Sequence, residues 1–125
     1  MMRCVHAAGR ACLVPFVEKV ESMTGRMRGL LGRSGLEPGH GLLIMKCGTI
    51  HTFGMQFPID VLFLTKEGTV TRICRDLGPM RIASGGYRAS MALEIQSGWL
   101  SHEAAKSGDT LVFEPAEMLR PAPAS

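Results

Sequence analysis

The chain has 125 residues, 46% of them hydrophobic and 20% charged, with 14 Lys+Arg against 11 Asp+Glu and a formal net charge of +3. That length fits one domain with an ordinary core, and so mild a positive charge is not the footprint of a dedicated nucleic-acid binder. The four cysteines, Cys4, Cys12, Cys47 and Cys74, form no CxxC pair and no dense spacing, which argues against a disulfide framework or a structural zinc site.

The opening "MMRCVHAAGRACLVPF" carries two arginines and no uninterrupted apolar stretch, so no signal peptide is expected. No segment approaches the ~20 apolar residues of a membrane-spanning helix. Together with the free thiols this points to a cytoplasmic protein. Residues 1–11 read as an N-terminal extension, 12–115 as the domain, and 116–125, ending in "LRPAPAS", as a flexible tail.

In chain order, "CLVPFVEKV" (12–20) reads as a first strand, with Pro15 at an edge or a bulge. In "ESMTGRMRGLLGRSGL", Met23, Met27, Leu30 and Leu31 fall on one face of a short helix, with Ser22 as N-cap, Arg33 in the last turn and Gly35 past its end. "GLEPGHG" is a loop, and "LLIMKC" a buried strand. "GTIHTFGMQFP" breaks regular pairing at Gly48 and Gly54. "DVLFLT" is the most apolar strand; "KEG" turns the chain into "TVTRICRD". "RIASGGYRAS" looks irregular. "MALEIQ" alternates, with Met91, Leu93 and Ile95 on one face and Glu94 on the other, toward solvent or a groove. Trp99 to Lys106 allows a second short helix, and "TLVFE" is a last strand. The sum is an α+β, mainly β domain. About six mostly antiparallel strands curl into a barrel-like sheet or sandwich with two short helices.

Chemistry concentrates in "CGTIHTFGMQFPIDVLFL" (47–64). Cys47, His51, Met45 and Met55 are soft or borderline metal ligands. In an extended chain, however, Cys47 and His51 stand about 13 Å apart. They share an ion only if the chain folds back at Gly48, so no metal and no cofactor are expected. Cys47 follows an apolar run and reads as a buried thiol. Asp60 opens a buried strand, where a charge costs several kcal/mol unless paired or hydrogen-bonded. It either accepts backbone N–H groups or stands at the rim of a pocket. His51 either packs among apolar neighbours or moves protons near neutral pH. Met45, Met55 and Met80 read as fillers of core gaps. "SGG" at 84–86, between Arg81 and Arg88, is either a plain loop or an anion cradle.

Taken in order, "RGLLGR", "GLLIM", "HTFGMQFPIDVLFL", "ALEIQSGWL" and "SGDTLVF" resemble the DUF192 family of bacterial and archaeal domains of unknown function. The resemblance runs from about Cys12 to Glu114 and implies a compact, mainly β domain. It implies no established activity, cofactor or catalytic residue. Where many members resemble a Met-Lys-Asn-Thr run, this chain has Thr52, Phe53, Gly54 and Met55, and it offers His51 in addition.

The leading expectation is a non-enzymatic module. It binds a small polar ligand or a protein partner in a groove at the His51–Asp60 bend, through Arg33, His51, Thr52, Met55, Asp60 and Glu94. The alternative is a small hydrolase or metal-binding protein using His51 with Asp60 or Cys47. A third is an interaction domain presenting an exposed Met/aromatic patch. Nucleic acid is not expected as a partner.

Overall fold

Strand-forming residues organise the chain throughout its described part. The computed structural model describes residues 1–21 and 35–116. It contains β1 (Met2–His6), β2 (Cys12–Val20), β3 (His40–Met45), β4 (Thr49–His51), β5 (Ile59–Leu64), β6 (Val70–Leu77), β7 (Ile82–Ser84), β8 (Met91–Gln96) and β9 (Leu111–Pro115). Seven strands form one sheet in the order β6-β5-β8-β3-β2-β1-β9, while β4 and β7 pair separately. Among the described residues only β2 and β3 run parallel; the other paired strands are antiparallel.

The sheet curls into a half-barrel whose outer strands meet at one end. The β5–β6 hairpin reaches β9 through a Thr69–Thr110 bridge, flanked by Val70 N–H to Asp109 O (2.8 Å) and Leu111 N–H to Gly68 O (2.9 Å). Gly68 has φ +94°, and a Cβ there would stand 2.3 Å from Leu111 O. The closure therefore requires glycine at this position.

Both faces of the sheet are buried at its central strands β3, β5 and β8. Leu62, Leu64, Met91, Leu93 and Ile95 point into the concave core with Val14, Val17, Leu43 and Leu111. Ile59, Val61, Phe63, Ile44 and Ala92 point into a second core on the other face, which Ile50 of β4 and Ala83 of β7 help to cover. This is why every residue of β5 is buried: a strand covered on both faces reads as a continuous apolar run, not an alternating one. Pro15 sits at a bulge, since the step from Val14 to Val17 on β2 opposes the shorter step from Cys4 to Met2 on β1.

The expected α+β class needs correction: no helix occurs among the described residues, which are all-β. The helix read at 22–35 lies essentially outside them. The one read at Trp99–Lys106 is instead a chain of tight turns, with Trp99 N–H to Gln96 O (3.0 Å) and Ala104 N–H to Ser101 O (3.2 Å). The physical reason lies in Arg75. Its guanidinium holds the Leu100 carbonyl at 2.7 Å and the Ser101 carbonyl at 3.3 Å, and the Ala104 amide bonds to Ser101 rather than to Leu100, the partner an α-helix would give it. Leu100 and Ala105 then plug one end of the concave core, and the Trp99 indole donates to Leu13 O at 2.9 Å.

Candidate functional site

The segment that follows β3 turns away from the main sheet and builds a small corner with β7. Ile50 pairs with Ala83 and His51 with Ile82. Thr52 fastens this corner. It is fully buried; its hydroxyl donates to Gly78 O at 2.7 Å and accepts from Arg81 N–H at 2.8 Å. Its carbonyl accepts from Met55 N–H at 3.1 Å. The hydroxyl is thus committed to architecture.

Around that anchor the corner is apolar and open. The His51 ring stacks on Phe53 with centroids 4.9 Å apart, and its Nδ1 is buried without a hydrogen-bond partner among the described residues. Phe53, Ile82 and Met80 are 41%, 66% and 69% exposed. Met80 is therefore no gap filler: at φ +61° it stands in the turn before β7, with its side chain in solvent. Met55 is buried in the second core and Met45 only half-buried. Arg81 is exposed next to Ile82, Tyr87 and Arg88 are exposed in the loop after β7, and no acidic residue occurs between Asp76 and Glu94. Sequence reading missed Phe53 and Ile82; only their exposure marks them, and no local pattern encodes that.

Asp60 does its work elsewhere. It is buried, and its Oδ1 accepts from Asp76 N–H at 2.7 Å while Oδ2 accepts from Gly98 N–H at 3.1 Å. Arg75 stands 3.8 Å away. Asp76 has φ +52° and lies where β6 slips register against β5. Asp60 thereby ties a bulge in β6 to the turn after β8. It also lines a cavity of about 280 Å³ with Arg75, Asp76, Ser97, Ser101 and His102. Both readings of this carboxylate meet at one place, with amides that are distant in sequence.

Glu94 corrects a further expectation. It faces neither solvent nor an open groove: it is fully buried, because the face of β8 opposite Leu93 covers the second core. It stands between Leu42 of β3 and Val61 of β5 and has an interaction partner within the fold. Asp60 pairs directly with Ile95. Since paired residues share a face and neighbours along a strand alternate, Asp60 and Glu94 lie on opposite sides of the sheet. Cys47 is buried in the second core, its thiol donating to Thr49 O at 3.2 Å. The expected site residues therefore split. His51 and Thr52 build the corner, Met55 and Glu94 face the second core, and Asp60 faces the other way. Arg33 lies outside the described residues.

The remaining charged contacts tie down β1 and β9. Hydrogen bonds from His6 and from the Lys106 amide hold the Asp109 carboxyl below its ordinary range. Arg10, and then Arg3, do the same for Glu114. His6 Nδ1 accepts from Ala8 N–H at 3.1 Å, so both ring nitrogens of His6 are engaged and neither serves as a free base. Burial pushes the Cys4 thiol up to about 12, with a smaller contribution from Cys12. Among the described residues no group of three or more His, Cys, Asp or Glu side chains could hold one ion, and no helix is long and apolar enough to cross a membrane.

An all-β half-barrel with a separate two-stranded corner is the architecture these contacts define. The chain belongs to the DUF192 family, described as an uncharacterized ACR, which it matches over residues 5–113. It is similar to the crystal structure of a proposed transcription regulator from Sinorhizobium meliloti 1021. The TM-score is 0.70 and the identity 26%, over 90% of this chain and 91% of that one. It shares its fold with a protein of unknown function from Novosphingobium aromaticivorans DSM 12444, with a TM-score of 0.72 and 19% identity over 89% and 82% of the two chains. No curated protein matches.

Proposed function

We propose that this domain is a non-enzymatic interaction module, and that the β4–β7 corner docks an acidic protein partner. The observation that carries the reading is the exposed set Phe53, Met80 and Ile82 around His51, with exposed Arg81 next to Ile82 and exposed Arg88 in the loop after β7, in a stretch of sequence (77–93) that holds no carboxylate. Aromatic, Met and Arg side chains are the residues that dominate interface energetics. The positive flanks favour a partner whose rim is acidic.

Two facts weigh against the hydrolase alternative. No hydrogen bond or ion pair joins His51 to Asp60 or Cys47 among the described residues, and the hydroxyl of Thr52 is already spent on Gly78 and Arg81. A small polar ligand is less well served here, since what the corner exposes is largely apolar. The Sinorhizobium protein's description raises nucleic acid as another occupant for the same arginines, and the experiment separates the two.

A photoreactive phenylalanine analogue placed at position 82, in cells of the source organism, should yield one protein adduct. Met80→Glu and Arg81→Glu should each weaken its recovery about tenfold, as loss of an interface anchor does. The same analogue at Lys66, on the far hairpin, should give no such adduct. Adducts insensitive to Met80→Glu and Arg81→Glu, or adducts with nucleic acid alone, would overturn the reading.

A further inference from the structure

Among the described residues the concave core is plugged at one end and open at the other. Leu100 and Ala105 plug it beside Asp60. At the opposite end, beyond Leu64 and Met91, lies a cavity of about 290 Å³. Its lining includes Met2, Met45, Met91, Leu43, Leu111 and Phe113, with Lys19, Lys66 and Glu67 also around it. Met45 and Met91 are directly paired across β3 and β8, so their side chains lie together against the core. An apolar cavity of ~150 Å³ admits benzene, so this one has room for a longer apolar group. Barrel mouths are a preferred place for such sites, and unbranched methionines adapt to the shape of an occupant.

From this cavity we infer a second binding site, independent of the β4–β7 corner, that takes a small amphiphile with an apolar tail and an anionic head such as a medium-chain carboxylate. The tail lies on the methionines. The head meets the ammonium groups of Lys19 and Lys66. Lys66 has no carboxylate partner among the described residues, and Lys19 has Glu21 at 3.5 Å, an exposed contact that a bound carboxylate can replace. Glu67, exposed at the tip of the same hairpin, disfavours a second negative charge, so a singly charged head fits better than a doubly charged one.

The test uses decanoate and the intact chain carrying ¹³C-methyl methionine. Decanoate, kept below its micelle concentration, should shift the methyls of Met2, Met45 and Met91 saturably and leave Met80 unmoved. Lys19→Gln and Lys66→Gln, both at exposed positions, should each weaken binding about two- to fivefold, the range for a solvent-exposed ion pair. Decyltrimethylammonium, with the same tail and the opposite head, should bind more weakly than decanoate. Three results overturn the inference: no saturable shift at these methyls, equal affinity for both head groups, or a response confined to Met80.

Discussion

Replacing Asp60 by alanine removes one side chain, leaves two backbone amides without their acceptor and takes a nearby carboxylate from Arg75. The Asp76 amide loses its 2.7 Å bond, the Gly98 amide its 3.1 Å bond, and Arg75 a carboxylate at 3.8 Å. Hydrogen bonds to a charged group contribute about 1.5–3 kcal/mol each. Breaking a buried pair costs about 3–5 kcal/mol when the partner stays unsolvated. Here Asp76 and Gly98 are exposed residues beside the 280 Å³ cavity, so water recovers part of the loss. Arg75 keeps its Leu100 and Ser101 carbonyls. The expected net cost is about 2–4 kcal/mol. Urea unfolding should show the midpoint falling with an unchanged slope. Asp60→Asn should recover little, because its amide nitrogen presents a donor where one of two backbone donors must be met. In a double-mutant cycle with Arg75→Ala the coupling should stay below about 1 kcal/mol, as the 3.8 Å separation implies. A loss under about 0.5 kcal/mol for Asp60→Ala would refute the view that this carboxylate holds the β6 bulge to the turn after β8.

Thr52→Val keeps the shape of the side chain and takes the hydrogen-bond partner from the half-buried Gly78 carbonyl and the Arg81 amide; a loss of about 1–2 kcal/mol is expected in the same unfolding assay. Asp109 and Glu114 have folded pKa values below their ordinary 3.8 and 4.5. Their stabilisation is therefore present above those unfolded values and lost as pH falls through the depressed ones. His6→Ala, which removes the leading cause at Asp109, should flatten the acid limb of a stability–pH curve. With its pKa near 12 and its thiol buried, Cys4 should stay unmodified by a thiol reagent under native conditions at pH 8. Exposed Cys12 should react at once, and labelling of Cys4 should track global unfolding. A Cys4 that reacts as fast as Cys12 would contradict the burial.

Strand identity is legible wherever the side chains themselves favour the pleat. "CLVPFVEKV" and "MALEIQ" read as strands with the bounds they have as β2 and β8, and the run in β5 announces a buried strand. Three short strands are not legible. Met2–His6, Thr49–His51 and Ile82–Ser84 owe their conformation to pairing with distant segments, not to local preference. Glu94 shows the same limit from another side. Its alternation with Leu93 is real, but which face meets water depends on what covers β8, and here both faces are covered. For Asp60 the residue carries half the message. A carboxylate heading a buried strand must have partners, but that they are the amides of Asp76 and Gly98 follows only from the register. The Trp99–Lys106 segment is held as turns by contacts that local sequence does not announce, from Arg75 to the Leu100 and Ser101 carbonyls and from the Trp99 indole to Leu13 O.

The first and last strands of this domain are neighbours, paired along their whole length from Met2–Pro115 to His6–Leu111. During synthesis β9 is the last of the strands to leave the ribosome. Until then β1 presents an unpaired edge, and the outer flank of β6 has no bridge at Thr69. Unpaired edges are templates for pairing with other chains, and nascent chains are most exposed to that fate. The sheet cannot finish until its final strand arrives, so a truncation that removes only Leu111–Pro115 produces more than a slightly smaller domain. It strips the partner from the whole of β1 on every copy, and its expected fate is aggregation rather than a folded remnant.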